Sequence, residues 1–231
     1  GITPSAAADK ATLLRRATYV LTGLPPSPAE IAAFEADISP DAFAKVVDRL
    51  LASPRYGEHF ARHWMDLVRY ADTHGSEGDP AIPQAWRYRD YLIRAFNADV
   101  PYDQFVREQL AGDLLKSPRI DAAEKLNESM LGTGHFRMVE HGYQPVDTVD
   151  EQVRNVDNQI DVISKTFLGL TVSCARCHDH KFDAISQADF TAFYGILASA
   201  RPGQVTVDSP ALLDLHRDRL TELKQAIRSE L

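Results

Sequence analysis

The chain has 231 residues, 44% hydrophobic and 25% charged, the balance of a soluble globular protein long enough to bury one large core or two small ones. Asp and Glu outnumber Lys and Arg by 33 to 25, a formal net charge of −8, which argues against sequence-independent nucleic-acid binding because that needs a massed basic footprint. No apolar run approaches the roughly 18 residues that a bilayer span requires.

In chain order, apolar residues at spacings of three and four predict a first helix over 10–21. Ser27-Pro28-Ala29-Glu30 is a capping box with Pro at the first helical position, ahead of Ile31 and Phe34. Ser39-Pro40 and Ser53-Pro54 repeat the Ser-Pro start before Phe43, Val46, Val47 and Leu50, and before Phe60, Trp64 and Leu67. Further helices are expected over 85–98, 102–115, 125–131, 148–168, 187–198 and 211–231. No strand pattern, Gly-rich phosphate loop or fixed-period repeat stands out. The expected fold is all-α, a multi-helix domain of helix hairpins whose long irregular loops carry the site.

Two segments read as those irregular loops: 73–83, rich in Gly, Pro and acidic residues, and 132–146, which holds His135, Arg137, Met138, His141 and Pro145. Arg201-Pro202-Gly203 closes the expected helical domain of 1–203. Residues 204–231 then form a charged C-terminal helix in which Leu212, Leu213, Leu215, Leu220, Leu223 and Ile227 are expected to pack on a region beyond this stretch. The chain opens at Gly1-Ile2-Thr3-Pro4 without an initiator Met, and is read as an excised or mature fragment.

Cys174-Ala175-Arg176-Cys177-His178 carries the clearest chemistry. It reads C-x-x-C-H, the attachment signature of a c-type haem, and uses the only two cysteines present. The thiols would form thioethers and His178 would be the proximal iron ligand. Attachment of such a haem takes place on the exported side of a membrane, so a periplasmic or cell-surface location follows. His180, two residues on, is a candidate for a propionate, a second metal or a substrate, or simply a capping histidine. Asp183 is a candidate to hold a histidine N–H.

The second axial ligand separates electron transfer from catalysis. His63, His74, His135 and Met138 are the candidates. His59 and His63 also lie four apart, on one helical face, where they could grip a metal by themselves without forming the H-E-x-x-H motif. If the distal position is open, His63, Asp66, Arg69 and His74 are candidates for proton handling. Arg69, Arg87, Arg89, Arg94 and Arg137, set among Tyr70, Trp86, Tyr88, Tyr91 and Phe136, could clamp propionates or an anionic substrate. Two other readings use the same cysteines: a structural zinc site of Cys174, Cys177, His178 and His180, and a thiol–disulfide module, which lacks its usual βαβ setting here.

Longer strings carry a family resemblance. They include Leu21-Thr22-Gly23-Leu24-Pro25-Pro26-Ser27-Pro28, the run Arg62 to Thr73 (RHWMDLVRYADT), Pro101-Tyr102-Asp103-Gln104-Phe105, Ala111-Gly112-Asp113-Leu114-Leu115, Phe167-Leu168-Gly169-Leu170-Thr171, and the run Cys174 to Asp183 (CARCHDHKFD). Over nearly its whole length the chain resembles the planctomycete-type, cytochrome-associated domain of unknown function. That resemblance implies a large exported protein in which this domain sits between a cytochrome c-like domain and a second uncharacterised one, in the company of polysaccharide-degrading and redox systems. A redox partner or neighbouring cytochrome c domain, and an anionic or carbohydrate substrate, are the implied partners. The implied haem residues carry over onto Cys174, Cys177 and His178. Two departures are visible: Ala184 stands where the family often has Pro, and Gly134-His135-Phe136 replaces a Gly-Phe-His order, leaving His135 without a matching position.

Overall fold

Side-chain caps set most element boundaries. In the computed structural model, which describes residues 3, 6–75, 78–138, 147–200 and 203–230, the Asp9 carboxylate accepts the Thr12 amide at 2.7 Å and starts α1 (Lys10–Thr22). The predicted capping box is present: Ser27 and Glu30 exchange hydrogen bonds at the start of α2 (Pro28–Ala36). Ser53 caps α4 (Pro54–Leu67). Ser39 does not cap α3 (Ala42–Leu51), which begins after Asp41. Its amide instead donates to Asp37 Oδ1 at 2.9 Å, so Ser39 closes the exit from α2.

The chain forms two units, Gly1–Tyr70 with Arg89–Pro101, and Ala71–Tyr88 with Tyr102–Leu231. Helix α5 (Ala85–Asn97) contributes to both. In the first unit Leu14, Phe34, Ala42, Val46 and Leu50 form the core, with Leu13, Ala17, Leu21 and Ile31 packed around it. These residues recur on the helical period that predicted the elements.

The second unit continues with α6 (Tyr102–Ala111), a 3₁₀ turn at Gly112–Leu114, and a small antiparallel hairpin of β1 (Ile120–Asp121) and β2 (Leu126–Asn127), paired Ile120 to Asn127 and Asp121 to Leu126. Then come α7 (Glu128–Gly132), a 3₁₀ turn at Thr133–Arg137, α8 (Thr148–Ile163), a π-turn at Ser164–Leu168, a 3₁₀ turn at Val172–Arg176, α9 (Gln187–Ala198), α10 (Pro210–Asp214) and α11 (Arg217–Glu230). Val156, Ile160, Val172, Ala175 and Phe190 form its core cluster. Gly112 permits the closest backbone approach: a Cβ there would lie 1.7 Å from the Ser129 carbonyl oxygen.

The architecture is all-α apart from that hairpin, in agreement with the periodicity. Three local expectations change. The helix expected over 125–131 is replaced by β2 and the short α7. The reason lies far away in sequence: the Asn127 amide donates to the Val207 carbonyl at 2.7 Å, and the Ser209 amide to the Lys125 carbonyl at 2.7 Å. Residues 207–209 are therefore tied to the hairpin. The segment 132–138 is helical rather than irregular; His141 and Pro145 lie outside the described residues. The helix expected over 211–231 divides at Leu215–His216. Among the described residues no helix is long and apolar enough to cross a membrane.

Candidate functional site

The cysteine motif occupies the 3₁₀ turn at Val172–Arg176 and the residues after it. A 3₁₀ turn has three residues per turn, so side chains at i and i+3 lie on one edge. Cys174 and Cys177 have that spacing, and both are exposed free thiols. The backbone beneath them is pinned. Ala175 is fully buried against the α8 and α9 core. Ser173 Oγ donates to Asp161 Oδ1 at 2.8 Å, and the Arg176 guanidinium meets Asp157 at 2.7 Å. On the far side Asp179 Oδ1 accepts the Gln187 amide at 2.8 Å, and the Gln187 side chain donates to the Arg176 carbonyl at 3.2 Å.

His178 and His180 differ in role although only one residue separates them. His178 Nδ1 lies 2.7 Å from its neighbour Asp179's carbonyl oxygen. A carbonyl only accepts, so this bond assigns the proton to Nδ1 and leaves Nε2 as the lone-pair corner of an exposed ring. The His180 side chain is 4% exposed. Its Nδ1 accepts the Phe182 and Asp183 amides at 3.2 and 2.9 Å, so Nε2 carries the proton and donates to Thr171 Oγ1 at 2.9 Å. His180 thus closes the loop after the cysteines with both ring nitrogens. In this arrangement it offers no nitrogen to an ion shared with Cys174, Cys177 and His178.

The other candidates are dispersed. His63, Asp66 and Arg69 belong to α4 and its C-terminal turn in the first unit; His74, His135, Arg137 and Met138 belong to the second, with the cysteine turn. His63 Nε2 is 3.4 Å from His59 Nε2. Arg69 has a left-handed backbone, φ +58, where a helix exit usually places Gly. The Tyr70 amide reaches the Met65 carbonyl at 2.9 Å and the Arg69 amide the Asp66 carbonyl at 3.4 Å, the pattern of a Schellman motif.

His74 lies in a segment that is turned rather than irregular: its amide donates to the Pro80 carbonyl at 3.0 Å, and Thr73 bridges to Ala81. His135 is buried, not on a loop surface. Its Nε2–H donates to the Gln109 carbonyl at 3.0 Å, and its ring stacks on Phe136 with centroids 4.4 Å apart. Burial pushes its pKa down to about 4, only partly offset by the bond to Gln109. Met138 is buried at the end of the same 3₁₀ turn.

A polar cluster escaped sequence reasoning. Glu108 is fully buried and takes a bidentate pair from Arg119, at 3.1 and 2.9 Å, with Ser129 Oγ at 3.0 Å and Gln104 Nε2 at 3.1 Å. Glu128, also buried, lies 3.8 Å from Arg119. The one available signal was Glu108's position three residues after Phe105, on the helix face that turns inward.

No curated protein and no solved structure matches the chain significantly. Residues 1–202 match the model of PSCyt2, a family described as proteins of unknown function (DUF1549), and the chain belongs to that family.

Proposed function

We propose that the domain carries one covalent c-type haem and serves as the redox module of an exported protein. The observation that carries this reading is the pair of free, exposed thiols three residues apart, followed directly by an exposed imidazole whose Nδ1 is held by a backbone carbonyl. That donor set fits the group: Cys174 and Cys177 supply the thioether sulfurs, and His178 supplies Nε2 in the tautomer that metal-ligating histidines adopt. Bound haem supplies one-electron exchange at its iron.

The chain's own part is to position these atoms. Ala175, Arg176 and Asp179 fix the turn from below and from both sides, so the thiols keep their edge without rearrangement. The Asp179 carbonyl orients the His178 ring and raises its basicity. Arg137 is the candidate for a propionate partner. His135 and Met138 are buried, and His135 already holds the Gln109 carbonyl. Neither would meet a bound iron without leaving its buried place, which favours a haem that takes an added ligand, and so a redox enzyme, over a simple relay. His63 and His74 remain the histidine candidates for proton handling. A carbohydrate substrate follows only from the company the family keeps, and an anionic one from the arginines set among aromatic residues.

The test is expression with haem c maturation, followed by an absorbance spectrum, a pyridine haemochrome assay and intact mass. The expected product is coloured and heavier by one covalent haem, and Cys174→Ala with Cys177→Ala abolishes that mass shift. A colourless protein at apoprotein mass overturns the proposal. Carbon monoxide binding to the reduced protein then supports the open second position, and its failure to bind favours the relay.

A further inference from the structure

A second site lies on α4, away from the cysteine motif in sequence and wholly within the first unit. His59 and His63 are one helical turn apart, so their rings share a face. The rings lean together at one corner: their centroids are 4.7 Å apart but their Nε2 atoms only 3.4 Å. That separation is long for an N–H hydrogen bond. It equals the bite of a tetrahedral ion, since two metal–imidazole bonds of about 2.0–2.1 Å at the tetrahedral angle set their nitrogens about 3.4 Å apart.

His59 is held from behind. Its ring lies against the α1 exit, where a Cβ on Gly23, at φ +71, would come within 2.6 Å of His59 Nδ1. Nδ1 thus faces the α1 exit while Nε2 faces His63, so packing sets the orientation of the ring.

We propose that His59 and His63 bind a divalent late first-row transition ion, such as Zn²⁺ or Cu²⁺, through their Nε2 atoms, with the remaining coordination positions filled by water or an added ligand. Imidazole pairs suit these ions and not Mg²⁺ or Ca²⁺. The site uses none of Cys174, Cys177 and His178, so it stands whether or not haem is attached.

The test is isothermal titration of the full chain with Zn²⁺ and, separately, Cu²⁺, with copper spectra reporting the ligands. Three proteins are compared: the unaltered chain, His63→Ala and Cys174→Ser with Cys177→Ser. His63 is exposed, so its replacement leaves the fold in place, checked by circular dichroism. The expected result is one ion per chain with nitrogen ligation, retained in the double cysteine variant and weakened at least about tenfold in His63→Ala. Binding that survives His63→Ala, disappears with the cysteines, or is undetectable at millimolar metal overturns the proposal.

Discussion

The cysteine turn and the Glu108 cluster both lie in the second unit, and both are dense in hydrogen bonds, yet they present opposite ends to water. In the turn the backbone and small side chains face inward, with Ala175 fully buried, while the thiols and the His178 Nε2 corner face out. In the cluster the charged heads face inward: Glu108 is sealed, and Arg119, Ser129 and Gln104 satisfy its oxygens. One arrangement leaves reactive atoms unused on a rigid base. The other uses the Glu108 oxygens to hold α6, the hairpin and α7 together. A concentration of ionisable residues therefore does not mark a site; which end of the side chain is free does.

Glu108→Ala should break this contrast most strongly. Removing one partner of a buried ion pair leaves the other uncompensated, and such losses run to about 3–5 kcal/mol. The side chain of Arg119 is 26% exposed and has Glu128 at 3.8 Å, so the lower end, about 3 kcal/mol, is expected. Urea denaturation measures it. If the proposed haem is attached, its amount per folded molecule should be unchanged, because no cluster residue belongs to the turn. Unaltered stability would show that the cluster does not hold the second unit together.

His135 sharpens the same point through pH. The unfolded ring takes a proton below about 6.5, whereas the buried ring resists until about 4. The native state thus keeps its full stability above the unfolded value and loses it as pH falls toward the folded one, by about 2 kcal/mol at about pH 5. His135→Gln removes this titration and keeps a donor for the Gln109 carbonyl. The difference in urea midpoint between variant and parent should change by that amount from neutral pH to about pH 5. A pH-independent difference would mean that the ring already accepts a proton in the folded state.

The helical period made most of the fold legible: α1, α2, α4, α5 and α9 start or end within a residue or two of their caps and apolar stripes. One misreading has a visible cause, which is pairing across a long sequence separation. Nothing in Lys125–Asn127 announces that residues 207–209 will draw it into a hairpin, because that preference resides in the Val207 carbonyl and the Ser209 amide. The candidate site was legible as a spacing pattern and not in its surroundings. Cys174, Cys177 and His178 are fixed by spacing, but whether a histidine presents a free nitrogen depends on carbonyls and amides nearby. His178, His180 and His135 look alike in sequence; an Asp179 carbonyl, two loop amides and the Gln109 carbonyl make them three different residues.

Arg69 tests whether a strained position is tied to activity. It has a left-handed backbone at the exit of α4, where Gly would be unstrained, and a side chain with a Cβ there costs about 1 kcal/mol. The Tyr70-to-Met65 and Arg69-to-Asp66 bonds use backbone atoms alone and survive replacement. Arg69→Gly should relieve that strain of about 1 kcal/mol, less the extra entropy that Gly gives the unfolded chain and less whatever the guanidinium contributes, so the melting temperature should shift by only a small amount. If the side chain serves only the turn, the haem-loaded protein should keep its reduction potential and ligand-binding rates. A stabilised variant with altered potential or rates would show that the chain tolerates strain at this exit to keep a guanidinium there. A destabilised variant would show instead that the Arg69 side chain makes contacts worth more than the strain it carries.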